Sequence, residues 1–178
     1  MVDLVEDELF ALHRLGYPDY TMENIQGDLS LAGHIFLASP ADPMITVVRD
    51  ASVDTWYLAV EGQDDPVDRM ADALTGRLPM IEVDELRQAS GSQDATPRDL
   101  VRLSLGSSQE ADENTIEIFT SWLHSNRPEM RGAAMKAISL TQWPELIDKL
   151  ESAVDAEPDP TMKEFGAVAL DAMRRAVS

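Results

Sequence analysis

The sequence predicts a mainly α fold, a short stack of repeated helices preceded by an acidic N-terminal α subdomain that carries a small β-hairpin. Three observations lead there. Apolar residues recur at i, i+4 and i+7 through most of the chain, which is the signature of helices with one buried face. The stretch "RPEMRGAAMKAI" (127–138) is echoed thirty-two residues later by "DPTMKEFGAVAL" (159–170). One run, "MITVVRDASVDTWYLAV" (44–60), breaks the helical pattern with β-branched and aromatic residues.

Taken in order, "LVEDELFALHRLGYPDY" sets Val5, Leu9 and Leu12 on one stripe and ends at Gly16 and Pro18, a helix with a stop signal. "TMENIQGDLSLAGHIFLASP" predicts a second helix, with Thr21 as N-cap, Ile25, Leu29, Ala32 and Phe36 in line, and Gly33 permitting close packing. Residues 44–60 read as two strands and a loop, against the alternative of a β-branched helix imposed by its surroundings. "DDPVDRMADALTGRL" returns to helix with Pro66 in the first turn and Gly76 at the end. "PMIEVDELRQA" fits a strand or a helix equally. Small polar residues in "SGSQDATP" predict a linker over 91–97, dividing an N-terminal subdomain (1–90) from helical repeats (98–178). Pro128, Pro144 and Pro160 are evenly spaced and each stands where a new helix should begin.

In the two echoed segments Met130, Ala134, Ala137 and Ile138 correspond to Met162, Gly166, Ala169 and Leu170. Each set makes one apolar stripe, with small residues where neighbouring backbones must come close. The segments resemble the second helix of HEAT-type repeats, whose pattern is Asp-Pro-x-Val-Arg-x-x-Ala-x-x-Ala-Leu. "DPTMKEFGAVAL" follows it with Met162, Lys163 and Gly166 as variants, whereas "RPEMRGAAMKAI" has Arg127 in place of the family's Asp. "RDLVRLSL" (98–105) begins the pattern and departs at Leu105. The resemblance covers roughly 110–177. It implies a ladder of Asp–Arg pairs between repeats, in which Asp159 would face Arg131. Two units bury too little to stand alone, so the N-terminal half is expected to dock on them as a cap.

Composition narrows the function. The chain has 33 carboxylates against 14 bases, net −19, and no cysteine. That balance opposes direct binding to phosphate backbones and anionic membranes. No thiolate chemistry is available. The acidic start and the lack of a long apolar run predict a soluble cytoplasmic protein. His13, His34 and His124 are widely separated, and no metal-binding histidine spacing, nucleophile elbow or phosphate-binding glycine loop is present.

Glu61, Asp64, Asp65, Asp68 and Asp72 form the one suggestive carboxylate group. It reads as a solvated helix face, as a surface for a partner's arginines, or as a divalent-cation site. Trp143, just before a helix start, and Met135, off the main stripe, are candidate anchors on a contact face. Trp122 belongs to the core by its place beside Phe119 and Leu123. The expected function is a non-enzymatic protein-binding module without cofactor. Its acidic surface would engage a basic protein such as a toxin or a nucleic-acid-binding protein, as small acidic immunity proteins and inhibitors do. A metal-assisted enzyme built on Asp64, Asp65, Asp68 and Asp72, and a structural assembly adaptor, are the alternatives.

Overall fold

The computed structural model describes residues 5, 8, 9, 12, 14, 15, 21–25, 34–39, 43–50, 55–62 and 64–176. The fold is mainly helical with one antiparallel sheet. Two compact units divide it, Met1–Met80 and Ile81–Ser178.

Among its described residues the first unit holds four strands in meander order, β1 (Thr21–Ile25), β2 (His34–Ser39), β3 (Met44–Asp50) and β4 (Thr55–Glu61), followed by helix α1 (Asp64–Thr75). The expected 44–60 hairpin is therefore present, as half of a larger sheet. The helix expected from Thr21 to Phe36 is replaced by β1 and β2. "HIFL" is a short apolar run that periodicity cannot assign, and its Ile and Phe favour the pleated surface. Antiparallel pairing sets Ile45 opposite Val60 and Val47 opposite Leu58. Ile45, Val47, Leu58 and Val60 share one face, against which Met70, Ala73 and Leu74 of α1 pack together with Leu78. Val5, Leu9 and Leu12 join this core as their spacing predicts, and each is helical. The stop at Gly16 and Pro18, Gly33, His13 and the loop at 51–54 lie outside the described residues.

The second unit contains α2 (Val83–Gly91), α3 (Pro97–Gly106), α4 (Glu113–Leu123), α5 (Pro128–Thr141), α6 (Ile147–Ala156) and α7 (Pro160–Ala176). The ambiguous "PMIEVDELRQA" thus supplies a helix. Pro128 and Pro160 begin α5 and α7, and Pro144 opens a 3-10 turn (Pro144–Leu146) leading into α6. Consecutive helices pack as pairs, α2 on α3, α4 on α5, and α6 on α7. In addition α2, α4 and α6 touch in succession, as do α3, α5 and α7. The result is two layers of three helices, each pair laid on the one before.

The unit begins earlier than the sequence suggests, and the expected linker at 91–97 lies within it. Ala95 is buried in the core, and its carbonyl accepts a bond from Arg127 Nη1 at 3.2 Å. The Asp99 carboxylate accepts bonds from the Thr96 backbone N–H at 2.9 Å and from its hydroxyl at 2.7 Å. "ATP" is thus a helix start. Small polar residues serve caps as readily as linkers, and here the cap prevails.

The echoed stripes agree in burial at three of their four positions, the exception being Met130, which is buried where Met162 is half-buried. Ala134 and Gly166, Ala137 and Ala169, and Ile138 and Leu170 are buried in matching pairs. A Cβ at Gly166 would stand 2.6 Å from Val154 Cγ2 and 3.0 Å from Met135 Sδ, so only glycine lets α7 settle between α5 and α6. Tryptophans tie successive pairs together. Trp122 Nε1 donates to the Ser90 carbonyl at 2.7 Å, and Trp143 Nε1 donates to the Ser108 carbonyl at 3.2 Å.

Candidate partner-binding surface

Helix α1 is built so that its carboxylates face water. Pro66 in the first turn fixes the backbone for helix entry, while Met70 and Leu74 turn into the core. Asp65, Asp68 and Asp72 are left on the opposite side, all exposed, and Glu61 is exposed at the end of β4. Asp64 is the first residue of the helix. One base interrupts this face: Arg69 donates through Nε to the Asp65 carbonyl at 3.3 Å. The first unit carries fifteen carboxylates against four arginines, net −11, and the second eighteen against ten bases, net −8. Among the described residues, no three His, Asp or Glu side chains are grouped so as to hold a metal ion.

The other two candidates are core residues. Trp143 is only 1 % exposed, and its ring nitrogen reaches back to the loop after α3. Met135 is fully buried where α7 crosses α5, its sulfur filling the space that Gly166 leaves. Both were expected to be exposed on the assumption that a helix in a stack has one buried face. A central helix has neighbours on several sides, and α5 packs against α3, α4 and α7. Trp122 is half-buried against the same core, as its adjacency to Phe119 and Leu123 predicts. Trp56 and Tyr57 are half-buried on β4. His124 is exposed at the end of α4.

The inter-pair ladder uses a different acid. Arg131 makes a two-pronged contact with Glu157, Nε to Oε2 and Nη2 to Oε1, both 2.8 Å, while its Nη1 donates to the Ser125 carbonyl at 3.1 Å. Asp159 instead caps α7, its Oδ1 accepting from the N–H groups of Thr161 (2.9 Å) and Met162 (3.0 Å). The Arg131 guanidinium, aided by the Asp159 N–H, holds the buried Glu157 carboxyl below its ordinary 4.5 against the opposing effect of burial. A second junction joins α2 to α4. Arg87 contacts Asp84 at 2.7 Å and Asp112 at 3.1 Å, and its Nε donates to Thr115 Oγ1 at 3.2 Å. These charges are consumed in holding helices together.

A surface that the sequence did not flag lies on α7, where Phe165 is 44 % and Val168 63 % exposed. Both fall between the stripe positions Met162, Gly166, Ala169 and Leu170. Two large apolar residues outside an already complete stripe were the available signal. Among the described residues, no helix is long and apolar enough to cross a membrane.

No known protein family, curated protein or solved structure matches this chain.

Proposed function

We propose that this chain is a non-enzymatic, cytoplasmic protein-binding module. In this reading a short HEAT-like stack acts as a rigid scaffold, and the acidic α1 face engages a basic partner in the manner of immunity proteins and inhibitors. One observation carries it. Asp65, Asp68 and Asp72 project together into solvent from a unit of net charge −11, and only Arg69 is interposed. Such a field raises encounter rates with cationic surfaces and disfavours anionic ones. The two-layer stacking of the second unit supports the scaffold part, because stacked pairs present an extended surface. Asp65, Asp68 and Asp72 are spread along an exposed helix face, and among the described residues no three acids converge as a metal site needs, which supports this reading over a metal-assisted enzyme.

The test is capture from native lysate on the immobilised chain at low and high salt, followed by association kinetics with the protein retained. Converting Asp65, Asp68 and Asp72 to Asn is expected to slow association by about tenfold at low salt. The difference should shrink at physiological ionic strength, where the screening length is about 8 Å. A partner whose association ignores both salt and the three substitutions refutes the proposal.

A further inference from the structure

The joint between α5 and α7 is packed by two thioethers over two glycines, one from each helix. Met162 of α7 lies against Gly132 of α5, its Cε and Sδ 3.7 and 3.9 Å from where a Cβ on that glycine would stand. In return Met135 of α5 lies against Gly166 of α7, its Sδ 3.0 Å from the corresponding point. Val154 of α6 meets the same point at 2.6 Å, so Met135 sits where three helices converge. The two sulfurs differ in access. Met162 is half-buried, whereas Met135 is fully buried. The chain has nine methionines and no cysteine, so its thioethers are the first targets of two-electron oxidants. Met44 and Met80 are more exposed than Met162, but both lie outside the two apolar cores.

We infer that Met162 is an oxidation-sensitive latch on α7: converting its thioether to the sulfoxide loosens α7 from α5 and opens the buried Met135 to the same reaction. The oxidant is a peroxide. A sulfur lone pair attacks one peroxide oxygen, the O–O bond breaks as the S–O bond forms, and the other oxygen leaves as water. Sulfur gives up two electrons and the peroxide takes them.

The consequence follows from what surrounds each sulfur. A sulfoxide is polar and needs hydrogen-bond donors. The N–H groups around Gly132 are already bonded along α5, so the joint offers it none. Oxidised Met162 therefore turns to water and withdraws from Gly132, and α7 opens more often. Met135 is reached only in that opened state. Once it is oxidised, its added oxygen finds no space between Gly166 and Val154, and the joint stays apart. Methionine sulfoxide reductase reverses both steps and lets α7 reseat.

Graded hydrogen peroxide treatment of the full chain, with peptide mass mapping and urea unfolding at each dose, tests the inference. Met44 and Met80 are expected to oxidise first without moving the urea midpoint. Met162 follows with a fall in midpoint, and Met135 comes after it. Met162→Leu, checked for an unchanged circular dichroism spectrum, is expected to slow oxidation of Met135 by about tenfold. Met162→Gln places a polar group over Gly132 without oxidant, and it is expected to lower the midpoint and hasten oxidation of Met135. Reductase treatment should recover the midpoint of the oxidised wild type. Met135 oxidising as fast in Met162→Leu as in the wild type overturns the inference. So does a midpoint that stays put while Met162 is oxidised, or a Met162→Gln chain whose Met135 is as protected as before.

Discussion

Two glycines in the stack differ in what surrounds them. At Gly166 a methyl group would meet Val154 Cγ2 at 2.6 Å. Valine is stiff about χ1, so that branch cannot rotate aside cheaply. At Gly132 the nearest atom to a new methyl is Met162 Cε at 3.7 Å, which is ordinary contact. Alanine gains about 1 kcal/mol of helix propensity over glycine at either place. At Gly166 the overpacking exceeds that gain, and Gly166→Ala is expected to lose about 1–2 kcal/mol net. Gly132→Ala is expected to be neutral or to gain up to about 1 kcal/mol. Urea unfolding of both variants checks the pair, and equal effects would show that the contact at Gly166 does not constrain the packing. The repeat motif that this segment resembles has a small residue where Gly166 stands. The same pattern puts Gly132 at a variable position, but the contact that sets the size of the difference, with Val154 twelve residues away, is not written in it.

At the scale of elements, the join between pairs is where charge acts most strongly. The Glu157 side chain is 1 % exposed and that of Arg131 14 %. Removing the arginine leaves a buried acid with one backbone donor, the Asp159 N–H at 3.1 Å. Arg131→Met is expected to cost about 3 kcal/mol at neutral pH, the low end for a broken buried pair because Arg131 keeps some contact with water. The sign with pH follows from the bond to Arg131, which depresses the folded-state pKa of Glu157 below 4.5. A depressed acid contributes stability that is fully present above its unfolded value and is lost as pH falls through the folded value. The gap between wild type and Arg131→Met should therefore narrow once pH drops below about 4.5. Urea titrations at neutral and acidic pH measure it, and a gap independent of pH would mean that the pair is not coupled to folding.

The same scale shows what was legible beforehand. Helix starts at Pro128 and Pro160 and the hairpin at 44–60 were readable because they depend on local chemistry, namely fixed φ and β-branching. The strands β1 and β2 were not. Ile25, Leu29, Ala32 and Phe36 fit a helical stripe by spacing alone, while β-sheet pairing depends on partners such as Ile35 with Val48 that no local window contains. The exposed acids of α1 were legible because Met70 and Leu74 settle the buried side. Met135 and Trp143 were misjudged because burial in a stack is decided by neighbouring pairs.

For the whole molecule, the position of α2 decides what can fold. Two helical pairs were visible in the sequence, and they bury too little for independent stability. The structure supplies a third, α2 with α3, on the C-terminal side of the division at Met80 and Ile81. Helix α2 brings Leu86 against Gly106 and the Ser90 carbonyl to Trp122 Nε1. It also brings Arg87 to Asp112 and Thr115. A fragment of 81–178 retains all of these contacts. A fragment of 98–178 loses them, uncovers one side of α3 and α4, and leaves the half-buried Trp122 nitrogen without its carbonyl. The longer fragment is expected to unfold in urea with one sharp transition and native-like near-ultraviolet dichroism. The shorter should keep helical far-ultraviolet dichroism, lose the near-ultraviolet signal and melt broadly. If both melt alike, α2 is an appendage and the cooperative core is the two echoed pairs alone. If neither folds, the second unit depends on Met1–Met80, as the expectation of an N-terminal cap holds.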